Sequence, residues 1–365
     1  SNAWPHGSLW SVMLRLHPPL LRYRLMVVGD DFGVNPFRDL GILTAFQKGL
    51  VNFASFLVNG ENPELSAQLA KEGGLTDRLG LHTNLTEGFP ISAPHTIPTL
   101  VGEDNRFRGK EGFFQAARDG LIQEADVRRE IAAQSNRFQE LTGQRPTYAD
   151  GHHHVHVCSP LASCFATAFQ QEGVLSTRIP DDTLFERSMT PDQRLLAATA
   201  TGLSVWNGVP FYKHICDQAK KARPYYTNAG ITSSDIFIGL GLMGANMSVP
   251  LLKNLVTSGF TSIDCDVKSA AETATGEPAQ VMQVHLMTHP GCTPRPTEVE
   301  AKRLSDPFWY CYFTRSMDRE HEMLVLSDSQ LLEHVQSYPH IECAFLGQGL
   351  GSSLSTVHSR RNHNL

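Results

Sequence analysis

Short apolar segments alternate along the chain with longer segments that have helical character. The apolar segments predict β-strands at 24–29, 52–58, 78–82, 147–157, 174–179, 235–240 and 281–288. Helices are predicted at 36–49, 61–72, 126–142 and 160–172. Each of these helices carries a start or stop signal, most often a glycine directly after its last turn. The alternation is typical of βα units, in which helices connect the strands of a parallel sheet.

About seven parallel strands come close to the number that closes a barrel, so we expect an α/β protein with a (β/α) barrel. The chain shows no internal repeat and no low-complexity linker, and a single domain over residues 24–350 is expected. Residues 1–23 are interpreted as a tag remnant with a poorly ordered extension, and 351–365 as a flexible tail. The Pro- and Gly-rich stretch 86–112 is interpreted as a long functional loop.

Composition narrows the classes of function. The chain has 365 residues, 41% of them hydrophobic, which suffices for a sizeable core. With 31 basic against 37 acidic residues and no basic stripe, nucleic acid is not an expected partner. Seven scattered cysteines without a C-x-x-C pair predict a reducing, cytoplasmic setting and no cysteine-based zinc site. Arg15, His17 and two prolines interrupt the N-terminal apolar run, so neither a signal peptide nor a membrane span is expected.

Polar residues follow the predicted strands where the strands end. They are Asp30 and Asp31 after the first strand, Asn59 after the second, His82 and Asn84 at the third, Arg178 at the fifth and His289 after the seventh. The C-terminal ends of barrel strands gather on one face, and barrel enzymes keep their chemistry there. The sequence therefore predicts one polar site built from several strands.

The fourth predicted strand contains the stretch YADGHHHVHV, residues 148–157. If it is extended, period-two alternation places Asp150, His152, His154 and His156 on one face. Neutral imidazoles and a carboxylate are common ligands of divalent metals. A lone buried histidine more often serves only to bond a carbonyl, but four histidines in five positions do not fit that interpretation.

Each of the other motifs also has a structural interpretation. Asp30 and Asp31 could cap the helix that follows and place a carboxylate in its first turn. The stretch 80–88 could be a strand that ends in a turn, with His82 bonded to the backbone, and 288–291 could be a simple Pro-Gly turn. Taken singly, none of these motifs decides between structure and chemistry.

The motifs taken in order resemble the YdjC-type, or ChbG-like, carbohydrate deacetylases. They are GDDFGVNPFRDLGI, FLVNG, LGLHTNLTEG, PTYADGHHHVHV and THPG, joined by IGLGLMGANMS at 238–248 and DREHEMLVLSD at 318–328. The resemblance spans residues 24 to 330. It implies a distorted (β/α) barrel, one divalent ion at the C-terminal mouth, an acetylated carbohydrate as substrate, and a possible homodimer.

The resemblance also implies roles for individual residues. Asp31, His82 and His152 match the metal ligands, and Asp30 matches the catalytic base. Amide hydrolysis further needs an acid that protonates the departing amine, and His289 is the candidate. Outer-sphere or substrate-binding roles are expected for a further set, namely Asn84, His154, His156 and Arg178, and a structural role is an equal alternative for Asn84 and Arg178.

Several alternatives stay open. Two histidines and a carboxylate favour Zn²⁺, whereas the family is often associated with Mg²⁺. Another mononuclear metal hydrolase is a second candidate, although a phosphoesterase favours two ions about 4 Å apart and more carboxylates than the motifs supply. A relative that binds sugars without catalysis is a third. The segment 181–235 matches the family only loosely, so the sequence does not define the specificity for a particular glycan.

Overall fold

The computed structural model describes residues 21–183, 205–206, 209–259, 280–293 and 311–343. Its strands are β1 (Leu21–Phe32), β2 (Phe53–Phe56), β3 (Leu79–Thr83), β4 (Ala149–Gly151), β5 (Ser176–Thr177), β6 (Val205–Trp206), β7 (Val209–Pro210), β8 (Thr232–Ser233), β9 (Ile236–Ile238), β10 (Gln280–Thr288) and β11 (Ile341–Cys343). Its α-helices are α1 (Pro36–Lys48), α2 (Pro63–Glu72), α3 (Gly109–Arg118), α4 (Glu124–Thr142), α5 (Ala162–Gln171), α6 (Phe211–Asn228), α7 (Val249–Asn254), α8 (Tyr312–Arg315), α9 (Met317–Leu326) and α10 (Ser329–Gln336).

The main sheet is parallel and runs in the order β4-β3-β2-β1-β10-β9. A seventh strand, β11, pairs with the first half of β1. Most of β1 is buried at the centre of the sheet, and helices cover the outside. In the described part of the chain, no helix combines the length and apolarity that a bilayer span needs.

Short strand pairs continue the curl of this sheet towards a closed ring. A single parallel bridge joins Tyr148, just before β4, to Ser176 in β5. β5 pairs with β8, and only two residues separate the end of β8 from the start of β9. The predicted distorted (β/α) barrel is therefore confirmed. The expected fifth strand, 174–179, is reduced to the two residues of β5 and lies outside the main sheet.

The predicted strand 147–157 is wrong in its second half. β4 ends at Gly151, and the chain continues as a 3₁₀ turn over His152–Val157. His153 and His154 have positive φ angles of 52° and 60°, which turns the backbone and breaks the period-two alternation. A Cβ atom at Gly151 would lie 2.8 Å from the Nδ1 atom of His156, so only glycine permits this tight turn.

The helix-cap interpretation of Asp30 and Asp31 is also wrong. Asn35 caps α1, because its Oδ1 atom accepts hydrogen bonds from the backbone N–H groups of Phe37 (3.1 Å) and Arg38 (3.0 Å). Both aspartates lie within β1, before the cap. Their placement therefore needs another explanation.

Some expectations fall at the margins of the described residues. β1 begins at Leu21, three residues before the expected start of the domain at 24. The expected tail 351–365 lies outside the described residues. So does much of the segment 181–235, whose described part includes α6. The stretch 86–112 is a loop with one 3₁₀ turn, and α3 begins near its end.

Helix α1 contacts the loop after β10 at a point that tolerates no side chain. A Cβ atom at Gly41 would lie 2.2 Å from the Cα atom of Gly291, two residues after His289. Because both partners are backbone, we expect Gly41→Ala to lower the free energy of unfolding by about 1–3 kcal/mol, as overpacking typically does. Denaturant titration measures this loss.

The matched control is Gly112→Ala in α3. An added methyl group there meets only the Cβ atom of Arg108, at 3.1 Å, and alanine favours the helix. Equal midpoints for the two variants would contradict the close packing of α1 on the 288–291 loop.

Candidate active site

A cavity of about 360 Å³ lies at the C-terminal ends of the central strands. Most of the predicted site residues line it, namely Asp30, Asp31, His82, His152, His154, Arg178 and His289. They come from β1, from β3 and from the segments that follow β4, β5 and β10. Two predicted residues, Asn84 and His156, do not line it.

A β-bulge brings the two adjacent carboxylates to the same cavity. Gly29 is in register with Ala54 and Phe32 with Phe56, so Asp30 and Asp31 together oppose a single residue of β2. Asp31 has a φ angle of 64°. In a regular strand neighbouring side chains point to opposite faces, and a bulge removes that restriction.

Asp31 lies at the centre of the polar cluster. Its Oδ1 atom is 2.9 Å from Nδ1 of His152 and 3.3 Å from Nε2 of His82. Its Oδ2 atom accepts a hydrogen bond from Nη1 of Arg38 at 3.3 Å. Burial by itself raises the pKa of Asp31, but these basic neighbours outweigh it and hold the pKa well below its usual range. Asp31 is therefore an anion in the folded protein.

A carboxylate lies behind each of the two histidines. His82 is in register with Asp150 on the neighbouring strand, and its Nδ1 atom is 2.6 Å from that carboxylate. Nε2 of His152 is 3.0 Å from Glu87. Burial opposes protonation, but the flanking carboxylates Asp31 and Glu87 raise the pKa of His152 to about 10. A carboxylate on one ring nitrogen orients the other nitrogen towards a metal.

Asp31, His82 and His152 offer one donor atom each, and these atoms lie within 4.8 Å of one another. One carboxylate oxygen and two imidazole nitrogens form a donor set that suits a divalent ion. The two histidines each carry a carboxylate on the nitrogen that points away from this centre. The residues present therefore fit a single divalent ion.

Two other groupings in the described residues fit a cation less well. The group of Asp30, His82 and Asp150 has the guanidinium of Arg178 against both carboxylates, at 2.6 and 3.4 Å. This positive charge disfavours a cation at the same place. The group of Glu87, His152 and His153 uses the far side of the His152 ring and so is not independent of the first site.

Asp30 lies beside the donor set of Asp31, His82 and His152 but is not part of it. Its Oδ2 atom forms an ion pair with Arg178 at 2.6 Å and is 3.9 Å from Nε2 of His289, while its Oδ1 atom is buried without a hydrogen-bond partner among the described residues. Burial raises the pKa of Asp30 to about 6, although Arg178 opposes the shift. Asp30 is thus ionised at neutral pH and can accept a proton.

His289 is neutral at rest. Burial lowers its pKa well below the usual value, and the nearby guanidinium of Arg319 adds to the shift, against the opposing charge of Asp31. Its Nδ1 atom has no hydrogen-bond partner among the described residues. A neutral imidazole at this place can receive a proton and pass it on.

The other predicted residues have different settings. His154 lines the cavity, and its Nδ1 atom has no hydrogen-bond partner among the described residues. His156 does not line the cavity, and its Nε2 atom forms a hydrogen bond with the backbone carbonyl of Arg178 at 3.0 Å. Asn84 accepts hydrogen bonds from the N–H groups of Thr86 (3.0 Å) and Glu87 (3.1 Å). Asn84 therefore shapes the turn that presents Glu87 to His152.

Sequence reasoning missed Glu87, Arg38 and the residues of α9. Glu87 lies inside the motif LGLHTNLTEG, and Arg38 lies inside GDDFGVNPFRDLGI. Each is a charged residue within a few positions of a predicted metal ligand, and this proximity could have identified it as part of the site. Glu322 and Arg319 lie in DREHEMLVLSD, far along the chain, and no local pattern connects them to His289.

Comparison with known proteins finds one matching family and several similar relatives. The model of the YdjC-like protein family matches residues 24–337. The chain is 32% identical over 326 residues to the carbohydrate deacetylase of Xenopus laevis, covering 89% of this chain and 97% of that protein. It is 34% identical over 171 residues to the chitooligosaccharide deacetylase of Escherichia fergusonii, covering 47% of this chain and 65% of that protein.

A solved structure supports the fold. A protein from Enterococcus faecalis V583 superimposes with a TM-score of 0.60 at 17% identity, covering 88% of this chain and 97% of that one. This likeness concerns the fold alone. The family match over most of the chain confirms the resemblance drawn from the motifs: the chain belongs to the YdjC-like protein family.

Proposed function

We propose that the protein is a metal-dependent carbohydrate deacetylase that hydrolyses the N-acetyl group of acetylated sugars or oligosaccharides. The observation that carries this proposal is the pairing of a three-residue donor set with a separate carboxylate, Asp30, whose pKa is about 6. The names of the relatives in Xenopus laevis and Escherichia fergusonii support the substrate class.

Asp31, His82 and His152 would hold the ion. A divalent ion held there supplies a Lewis acid that polarises the acetyl carbonyl and lowers the pKa of a water molecule. The two imidazole donors favour Zn²⁺ over Mg²⁺. Elemental analysis of the purified protein distinguishes these two ions.

Asp30 accepts the proton of the attacking water. Its pKa of about 6 keeps it ionised at neutral pH yet makes it basic enough to take that proton. Arg178, at 2.6 Å, fixes the carboxylate and offsets the repulsion from Asp31. The Oδ2 atom of this carboxylate is 3.9 Å from Nε2 of His289, so a small shift of either side chain allows the proton to pass to the imidazole.

His289 delivers a proton to the leaving nitrogen. Because its imidazole is neutral at rest, this proton comes from Asp30 during the reaction. The carbon–nitrogen bond of the tetrahedral intermediate then breaks, and the nitrogen leaves as the amine of the sugar while acetate remains. After acetate departs, Asp30 is again an anion and His289 is again neutral.

We expect His289→Ala to lower the turnover number about 10²–10⁴-fold, the usual contribution of an acid–base group, with an unchanged metal content. His289 is not a member of the donor set of Asp31, His82 and His152, so metal loss is not expected. Acetate release and elemental analysis on the same sample measure both quantities.

The control is His95→Ala, at an exposed histidine outside the cavity, which should alter neither quantity. A His289→Ala protein that loses its metal would contradict the separation between ligand and proton donor.

The substrate class is tested by acetate release. Wild-type protein is incubated with N,N′-diacetylchitobiose and with longer N-acetylated oligomers, and both acetate and new free amine are measured. We expect equal amounts of the two products. No acetate from any N-acetylated sugar at full metal occupancy would overturn the proposal.

A further inference from the structure

Two family motifs without a role so far meet at one buried carboxylate. Glu322, in DREHEMLVLSD, has 0% of its surface exposed. Its Oε2 atom accepts a hydrogen bond from the backbone N–H of His289 at 2.6 Å. Its Oε1 atom accepts one from the backbone N–H of Gly244, in IGLGLMGANMS, at 2.7 Å. One side chain of α9 therefore joins the loop of the proposed proton donor to a second wall segment of the cavity.

The first turn of α9 holds the rest of this loop. The N–H of Gly291 donates to the carbonyl of Arg319 at 2.9 Å, so the backbone on both sides of Pro290 is bonded to α9. Nη2 of Arg319 is 3.2 Å from Oε1 of Glu322, which compensates the buried negative charge.

The imidazole of His289 depends on these contacts for its orientation. Its Nδ1 atom has no hydrogen-bond partner among the described residues, and its Nε2 atom is 3.9 Å from Asp30, too far for a hydrogen bond. The ring packs edge-on against Phe313, with centroids 5.1 Å apart and planes at 88°. The guanidinium of Arg319 lies 4.1 Å from the Phe313 ring centre and so holds that ring from α9 as well.

We infer that Glu322 is a positioning residue, which fixes the main chain of His289 so that its imidazole lies between Asp30 and the leaving nitrogen. The inference rests on the proposed function for the role of His289. Its geometric part, that Glu322 determines the setting of the His289 ring, does not depend on the reaction.

The test variant is Glu322→Gln. Glutamine presents one carbonyl oxygen and one NH₂ group, so it can accept from only one of the two N–H groups and repels the other. Glu322→Asp is the second variant, since it keeps the charge for Arg319 but is too short to reach both N–H groups, and it serves if the glutamine variant does not fold.

The matched control is Asp182→Asn. Asp182 is also buried and accepts hydrogen bonds from the N–H groups of Gly239 (3.3 Å) and Gly241 (2.9 Å), in the loop that contains Gly244. The substitution Asp182→Asn therefore disturbs the same loop at a residue that does not contact His289.

The first readout is the NMR signal of the His289 ring in the metal-loaded protein, identified by its loss in His289→Ala. We expect this signal to shift or broaden in both Glu322 variants and to stay in place in Asp182→Asn. An unchanged signal in a folded Glu322 variant would overturn the inference, whatever the activity of the protein.

The second readout compares two leaving groups. An N-acetyl sugar loses an amine that needs a proton, whereas 4-nitrophenyl acetate loses a phenolate that does not. We expect Glu322→Gln to lower the turnover number for diacetylchitobiose by about 10²-fold, the cost of a misplaced catalytic group, and that for the aryl ester by less than about twofold. Equal losses for the two substrates would assign Glu322 a purely structural role.

The two levels of failure are distinguishable. If wild-type protein releases no acetate from the sugar, the proposed function fails, and the NMR comparison alone still decides whether Glu322 positions His289. If the wild type is active and the His289 signal does not move, only the inference about Glu322 fails.

Discussion

Asp31→Asn is expected to lose the divalent ion and, with it, all measurable acetate release. Asp31 is the only carboxylate of the proposed donor set, and its Oδ1 atom lies within 3.3 Å of both histidine partners. The amide removes the negative charge that makes an oxygen ligand strong. We expect the affinity for the ion to fall by more than about 100-fold, beyond the effect of outer-sphere changes. Metal titration of chelator-treated protein measures this fall.

The control is Asp39→Asn in α1. Asp39 is equally buried, and burial raises its pKa to about 7, although hydrogen bonds from Ser66 and Gly33 oppose the shift. An amide therefore resembles its protonated form, and the ion should be retained. If Asp31→Asn binds the ion as tightly as the wild type, the metal centre does not lie at this cluster.

In contrast to Asp31→Asn, the variant Asp30→Asn is expected to keep the divalent ion and to lose turnover. It keeps the ion, because Asp30 is not in the donor set of Asp31, His82 and His152, but it has no carboxylate to take the proton of water. We expect the turnover number to fall about 10³-fold, within the range of general-base effects. Metal content and acetate release, measured on one preparation, separate the two neighbouring aspartates.

The outcome also separates catalysis from binding. A wild-type protein that binds N-acetylated sugar without turnover, and an Asp30→Asn variant with the same affinity, would identify a relative that binds sugars only. Loss of the ion in Asp30→Asn would contradict the division of roles between the two carboxylates.

The order of the strands in the main sheet and of four helices in the first half of the chain could be predicted from sequence because local signals determine it, whereas α3 and the helices from α6 onwards were not predicted. Proline and asparagine begin α1, and glycines follow the ends of α1, α2 and α4, so their predicted bounds agree with the structure within two residues. Strands such as β1 and β10 read as apolar runs because both of their faces are buried.

The site geometry could be predicted only in part. Polar residues at strand ends converge because a parallel sheet gathers those ends, and this needs no knowledge of the turns. The histidine cluster is different. Two consecutive residues in the left-handed conformation, His153 and His154, turn the chain after Gly151. The alternation of polar and apolar residues in this stretch does not predict such a turn. The predicted common face was therefore wrong, although His152 still reached the cavity.

The β-bulge in β1 could not be predicted from the sequence either. Asp30 and Asp31 are adjacent like charges, and their repulsion is offset by Arg178 beside Asp30 and by Arg38 and two histidines beside Asp31. These partners come from distant segments and depend on tertiary contacts. Glu322, 33 residues beyond His289 along the chain, has the same character.

The most direct measurement combines metal and product in one titration. Chelator-stripped protein receives increasing equivalents of Zn²⁺ or Mg²⁺, and the initial rate of acetate release from N,N′-diacetylchitobiose is recorded at each point. We expect no release from stripped protein and a rate that rises linearly to a plateau at one equivalent of ion. Undiminished release without metal, or no release at full occupancy, would contradict it.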